Sequence, residues 1–223
     1  MDAMDSQMAT RQLVAALEST DVSVRLTAAL KAGSRPLPDY VEALVERCAI
    51  EPDFFVRDML SWALIRNDRA VVVDRLLAEL ASTSPQARSQ ALHTLSKVAD
   101  PEVWPAITSD VLFDDDDDVA RAAWRTAASL VPEAERGRLA HDLATQLGRG
   151  GREVRLSLSR ALAMLADAAM PVLTRARQST DEQVSEHALA TLWLIEDPDA
   201  AFDAAVEEAK RARTLRGAPM VRQ

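Results

Sequence analysis

The sequence predicts an all-α fold: a helical solenoid of about six stacked hairpins, closed by a C-terminal capping helix. Three observations predict it. Versions of a short motif, in its full form an acidic residue followed one turn later by Val-Arg, return every 30–34 residues along the chain, which is the period of a helical-hairpin repeat. Within each return the apolar residues recur at helical spacing. The composition agrees, with 48% apolar residues, 4% aromatic residues and six glycines, a balance that favours closely packed helices over sheets.

The fullest copy of the motif is Asp53-Phe54-Phe55-Val56-Arg57-Asp58-Met59-Leu60-Ser61-Trp62-Ala63-Leu64. Taking its Arg as anchor, the copies align on Arg25, Arg57, Arg88, Arg121 and Arg155, with Ser185 in the sixth slot. One residue earlier stand Val24, Val56, Ala87, Ala120, Val154 and Val184. Three later stand Ala28, Leu60, Ala91, Trp124, Leu158 and Ala188, and seven later Ala32, Leu64, Leu95, Ala128, Leu162 and Leu192. Offsets −1, +3 and +7 share one helical face, so these columns predict the buried side. Four residues before the anchor, Asp21, Asp53, Asp117 and Asp181, with Ser84 in the third copy, have the side chains of helix N-caps.

A first helix precedes each of these second helices. The predicted pairs are 8–19 with 22–33, 38–50 with 53–67, 69–82 with 85–99, 101–113 with 117–131, 132–148 with 152–166, and 168–178 with 181–196. Gly33 and Pro36 break the chain after the first pair, Ser84-Pro85 reads as N-cap and first helical residue, and Asp100-Pro101 opens the fourth pair. Pro105 and Pro171 fall inside predicted first helices and should bend or delay them. A polar helix over 198–214 reads as the terminal cap. Nothing in the pattern marks a linker, so residues 1–223 read as one domain.

Paired helices with an N-cap Asp and Val-Arg opening the second helix resemble HEAT repeats over about residues 8–196. The strings Glu51-Pro52-Asp53-Phe54-Phe55-Val56-Arg57-Asp58-Met59-Leu60 and Pro85-Gln86-Ala87-Arg88-Ser89-Gln90-Ala91-Leu92-His93-Thr94-Leu95-Ser96-Lys97 look like short actinobacterial HEAT-repeat proteins. The third copy lacks the Asp, the fifth has Gly151 in its place, and the sixth has Ser185 for Arg. The resemblance implies a right-handed superhelix whose second helices line a concave binding surface. It also implies a structural ladder, Asp21, Arg25, Asp53, Arg57, Arg88, Asp117, Arg121 and Arg155, in which each Asp caps its helix and each Arg bridges to the Asp of a neighbouring repeat.

A formal charge of −9 argues against broad phosphate-backbone binding, although folding can still segregate a basic stripe. Cys48 is the only cysteine, so an internal disulfide is excluded. Its apolar neighbours read as core, with a reactive thiol as the alternative. No signal-peptide pattern and no membrane-length apolar run occur, which places the expected location in the cytoplasm.

Offsets +1, +4, +5 and +8 point away from the predicted buried stripe. They collect the candidate partner-binding residues Asp58, Ser61, Trp62, Ser89, His93, Arg125 and Arg160. Trp and Arg are common interface anchors; the alternative is that Trp62 folds between adjacent helices and His93 bonds to a neighbour. Asp114 to Asp118 reads as a solvated turn ending in a cap, with a cation or a basic peptide as the competing reading. Gly148-Arg149-Gly150-Gly151-Arg152 reads as a flexible connection, with an anion site as the competing reading. His93, His141 and His187 lie in separate repeats, so neither metal nor cofactor is expected.

The expected function is a non-enzymatic scaffold that binds a protein or peptide, itself a monomer or a weak dimer. The competing reading is a DNA-repair enzyme resembling the alkylated-base glycosylases built on similar repeats, for which Asp58 near Trp62 is the only comparable cluster. A chromophore lyase or isomerase built on short repeats is a third class, for which no residue argues.

Overall fold

The computed structural model describes residues 3–197 together with Val206. The predicted cap over 198–214 otherwise lies outside the described residues. All regular structure among the described residues is helical, and the fold is an all-α solenoid of helical hairpins. The chain divides into two compact units, residues 1–126 and residues from 127 onward.

The first unit begins with α1 (Ala3–Leu17) and α2 (Val22–Ser34), followed by α3 (Tyr40–Cys48) and α4 (Phe54–Ile65). Then come α5 (Arg69–Glu79) and α6 (Pro85–Val98). The next first helix, predicted over 101–113, is instead a 3-10 helix, Pro101–Ala106, and a single turn, α7 (Ser109–Leu112). Pro105 lies inside the 3-10 segment, where it has no amide to give an α-helix and its ring crowds the preceding turn. The second helix of this pair is α8 (Asp117–Leu130), and the division between the units falls inside it.

In the second unit a 3-10 turn, Glu133–Glu135, leads into α9 (Arg136–Ala144), so the helix predicted from 132 begins late. Then come α10 (Arg152–Leu165), a 3-10 turn at Ala166–Ala168, α11 (Met170–Ala176) and α12 (Glu182–Glu196). Pro171 sits in the first turn of α11, where a missing amide costs nothing, and so delays the helix as expected.

The predicted N-caps form where the sequence places an extended Asp or Ser. Asp21 accepts from the Ser23 amide, Asp53 from Val56, Ser84 from Ala87, and Asp181 from Gln183 and Val184. The exception is α8. Its cap is Asp116, whose Oδ1 accepts from the amides of Asp118 at 3.0 Å and Val119 at 3.1 Å. Asp117 is the first residue of the helix itself.

This one-residue correction changes the column alignment of the fourth hairpin, because the residue four after the cap is now Ala120 rather than Arg121. Realigned, offset +4 holds Ala29, Ser61, Leu92, Trp124, Ser159 and Leu189, and every one is buried. The expectation that this column faces away from the core is therefore wrong. Within each unit, the +4 position of one second helix meets the +6 position of the next in three pairs: α4 with α6, α6 with α8, and α10 with α12. Ser61 Oγ lies 3.1 Å from Thr94 Oγ1, Thr126 Oγ1 donates to the Leu92 carbonyl at 2.9 Å, and Ser159 Oγ lies 2.7 Å from Thr191 Oγ1. Small or hydroxylated residues let two backbones approach here while leaving no polar group unsatisfied.

The −1, +3 and +7 columns are core as expected, with Val56, Leu60 and Leu64 fully buried in α4. Val24 departs from this and is 42% exposed. It belongs to the first hairpin, and among the described residues no earlier hairpin covers that side. Burial pushes the Cys48 thiol up to about 12, the protonated and unreactive state of a core cysteine.

Candidate partner-binding face

The motif arginines close their own hairpins. Arg25 Nη1 donates to the carbonyls of Ser19 and Thr20, Arg57 Nη1 to those of Glu51 and Pro52, and Arg88 Nη1 to that of Ser82. Arg155 reaches the carbonyls of Gly150 and Gly148. Each guanidinium thus satisfies carbonyls left open at the turn before its helix. A link to the next hairpin also forms, but its acceptor stands two residues before the cap. Arg25 makes a two-pronged pair with Glu51 at 2.8 Å, and Arg88 one with Asp114. The ladder expected through the cap aspartates therefore runs through a different residue. The cap carboxylate is already accepting its own helix amides, while the residue two before it points to the preceding hairpin. Arg57 and Arg155 find no acid in that slot, where Ser82 and Ser179 stand. Arg121 pairs instead with Asp118 on its own helix.

Glu51 is the most enclosed of these groups, its side chain fully buried against Arg25 and Arg47. Burial alone would raise its pKa, but hydrogen bonds from Arg25, from the Asp53 amide and from Arg47 outweigh it and hold the carboxyl at about 2.

These contacts account for much of what the sequence left open. Asp114 pairs with Arg88, Asp116 caps α8 and Asp118 meets Arg121, so the acidic run is spent on the fold. Among the described residues no group of three or more His, Cys, Asp or Glu side chains has the geometry of a metal site. The glycine-rich turn is structural as well. Gly148 has φ +87° and donates its amide to His187 Nδ1 at 3.0 Å, while Gly150 has φ +65° and packs against Val154.

The candidate binding residues divide. Ser61 is buried and belongs to the helix stack. Trp62 is half-buried, its ring lying over Gly33 of α2, where a Cβ would overlap it. This is the fold between adjacent helices that the sequence offered as the alternative. Asp58, Ser89 and His93 are also half-buried, and Arg125 is exposed. Asp58 Oδ1 accepts from Lys97 Nζ at 2.7 Å. Around His93 gather Lys97, Arg125 and Asp58; burial, with help from the two cations, lowers the imidazole to about 4. Arg125 is lowered by burial and by Arg121 beside it on the helix. Asp58, His93 and Arg125 therefore come together in the first unit, joined by Lys97 and Arg121. Lys97 was missed because it lies nine residues after its anchor, one residue beyond the last offset considered. Arg160 is exposed on α10 in the second unit, where Val206 and Trp193 pack on Leu156 and Ala190.

Two features expected of a base-excision centre are already engaged, the Asp58 carboxylate by Lys97 and the Trp62 ring by Gly33. No described helix is long and apolar enough to cross a membrane.

No protein-family model matches the chain, and no curated protein matches it in sequence. Among solved structures it is similar to a chain of the complex of CpcE and CpcF of phycocyanin lyase from Nostoc sp. PCC7120. The identity there is 18%, with 94% of this chain and 89% of that chain covered and a TM-score of 0.47. It is also similar to human deoxyhypusine hydroxylase in complex with glycerol, at 16% identity, with 94% and 98% of the two chains covered and a TM-score of 0.45.

Proposed function

We propose that this protein is a non-enzymatic interaction scaffold that holds a protein or peptide partner on the second-helix face of its first unit. The observation that supports the reading is a division of labour among the polar side chains. Those on the hairpin turns close the fold, through the motif arginines and the acids they meet. Those at offsets +1, +5 and +9 of α4, α6 and α8 present charge outward from a rigid, close-packed helix stack. Arg125 is exposed there and has no acid partner among the described residues.

Capture from the native cell with wild-type protein and with the Ser89→Arg and Arg125→Glu variants tests the reading. Both changes alter the surface without entering the helix stack. The expected result is a partner retained by the wild type and lost from both variants. Equal capture by all three removes this face as the site.

A further inference from the structure

The face proposed above is not chemically uniform. Over α2 and α4 its middle is apolar, with Leu30 41% exposed, Ile65 39% exposed and Trp62 half-buried between the helices, while Arg66, at +9 of α4, is exposed at its edge. Over α6 and α8 it carries Lys97, Arg121 and Arg125. Two carboxylates stand against those three cations. Asp58 meets Lys97 and Asp118 meets Arg121, which leaves the Arg125 guanidinium in excess. His93, set among them, adds no charge near neutral pH. In a chain of net charge −9, this is a local reversal of sign beside an apolar strip.

We infer that the occupant of this face is a short acidic peptide, its apolar side chains over Leu30, Trp62 and Ile65 and its carboxylates over Lys97, Arg121 and Arg125. The inference rests on the scaffold reading and adds the partner's chemistry and direction. Charge complementarity selects the acidic end: a carboxylate reaching Arg125 makes a two-pronged bond to a partly desolvated guanidinium, where such bonds are strong. The apolar strip fixes the order along the peptide, because carboxylates laid over Leu30 and Trp62 would lose water without gaining a partner. A nucleic-acid strand fits less well. Phosphate binding draws on a long cationic track, and here Asp58 and Asp118 already meet two of the cations beside an exposed apolar strip.

Fluorescence anisotropy with three labelled peptides tests this. Each carries leucines followed by a run of glutamates, of glutamines or of lysines, and a single-stranded oligonucleotide is the fourth probe. The glutamate peptide should bind about tenfold or more tighter than the glutamine peptide, weaken with added salt, and lose about tenfold in both Arg125→Glu and Arg125→Gln. Arg160→Glu, in the second unit, should change nothing. Equal binding of the three peptides, indifference to Arg125, or Arg125-dependent binding of the oligonucleotide overturns the inference. Selection from an unbiased displayed-peptide library separates its failure from that of the scaffold reading. Enrichment of neutral or basic peptides that Ser89→Arg abolishes keeps the face and discards the acidic partner; enrichment of nothing discards both.

Discussion

The Gly148 amide donates to Nδ1 of His187 across 3.0 Å, joining the turn before α10 to the second turn of α12. Nδ1 must therefore be unprotonated, and the ring's proton lies on Nε2, facing Ser159 Oγ at 3.0 Å and the Arg155 carbonyl at 2.9 Å. Thr191 donates to the His187 carbonyl, so Ser159 in turn donates to Thr191. Every donor in the chain has an acceptor only while the imidazole is neutral. Burial accordingly lowers His187 to about 4, with the Arg155 charge acting in the same direction against the hydrogen bond to the Arg155 carbonyl.

The consequence is a loss of stability in acid. A histidine whose folded pKa lies below its unfolded value of 6.5 favours the folded state fully above that pH. Its contribution is lost as the pH falls from 6.5 through about 4, by at most about 1.4 kcal/mol for each pH unit crossed. His93 shifts in the same direction and shares the window. Urea unfolding between pH 7 and 4 should show the decline. NMR titration of the His187 ring should give a midpoint of about 4; a midpoint at 6.5 would refute the tautomer and the network.

Glu51 governs a second, more acidic window. Its folded pKa of about 2 lies below the ordinary 4.5, so its contribution is present above pH 4.5 and disappears as the pH falls toward 2. Glu51→Gln keeps the shape but leaves Arg25 and Arg47 facing a neutral group in a dry site. The expected cost is about 3 kcal/mol at neutral pH, in the range for breaking a buried pair by removing one partner. In the variant the decline below pH 4.5 should flatten. A change under about 0.5 kcal/mol would show the pair to be no more than a surface contact.

Gly33 and Trp62 form a lock between α2 and α4. Alanine favours a helix over glycine by about 1 kcal/mol, so Gly33→Ala on an open face would stabilise the protein. Here the added methyl enters the Trp62 ring, and overpacking of this kind costs about 1–3 kcal/mol. The single variant should be destabilised. In a Trp62→Leu background the same change should cost less without becoming favourable, because the added carbon still stands 3.0 Å from the Ala63 Cα. Additivity in that double-mutant cycle would show that the two residues do not meet.

Ala99 ends α6 in the left-handed region, at φ 53° and ψ 45°, with its amide bonded to the Leu95 carbonyl. Glycine is the usual residue in that conformation because it has no side chain to crowd the backbone. Ala99→Gly should raise the unfolding free energy by up to about 1 kcal/mol. The same change in the right-handed middle of α6, at Gln90, should lower it by a similar amount.

Much of this architecture was legible in the sequence because the core columns and the N-caps are local. Asp21, Asp53, Ser84 and Asp181 act where period and residue type put them. Two features were not legible, each for a physical reason. The interhairpin acids Glu51 and Asp114 occupy turns, where no periodicity marks them, and only packing shows that they face the previous hairpin. The binding columns were misassigned because offset +4 falls on the outward half of an isolated helix. In the stack a neighbouring second helix lies against that flank, so Ser61 and Ser159 are buried and hydroxyls there serve packing rather than recognition. On the candidate face, Asp58 and His93 could be found by register; Arg125 was reached as +4 of a misplaced anchor and lies at +5 of the true one, and Lys97 emerged only from its distance to Asp58.

The fourth hairpin tests this account most sharply. Five consecutive aspartates gave the sequence no means of choosing a cap, and Asp117 aligned with the motif only because Arg121 was taken as its anchor. The structure puts the capping oxygen on Asp116, which makes Ala120 the equivalent of Arg57 and moves Trp124 into the column of Ser61 and Leu92. Trp124 then fills the helix stack, fully buried, its indole nitrogen donating to the Leu112 carbonyl at 2.9 Å. If this register is right, Asp116→Ala removes the acceptor for two amides and costs about 1 kcal/mol. Asp117→Ala leaves both of those cap hydrogen bonds in place and should cost less, about 0.5 kcal/mol. Chemical denaturation of the two variants decides between the alignments, since the reverse order would restore Asp117 as the cap and Arg121 as the anchor.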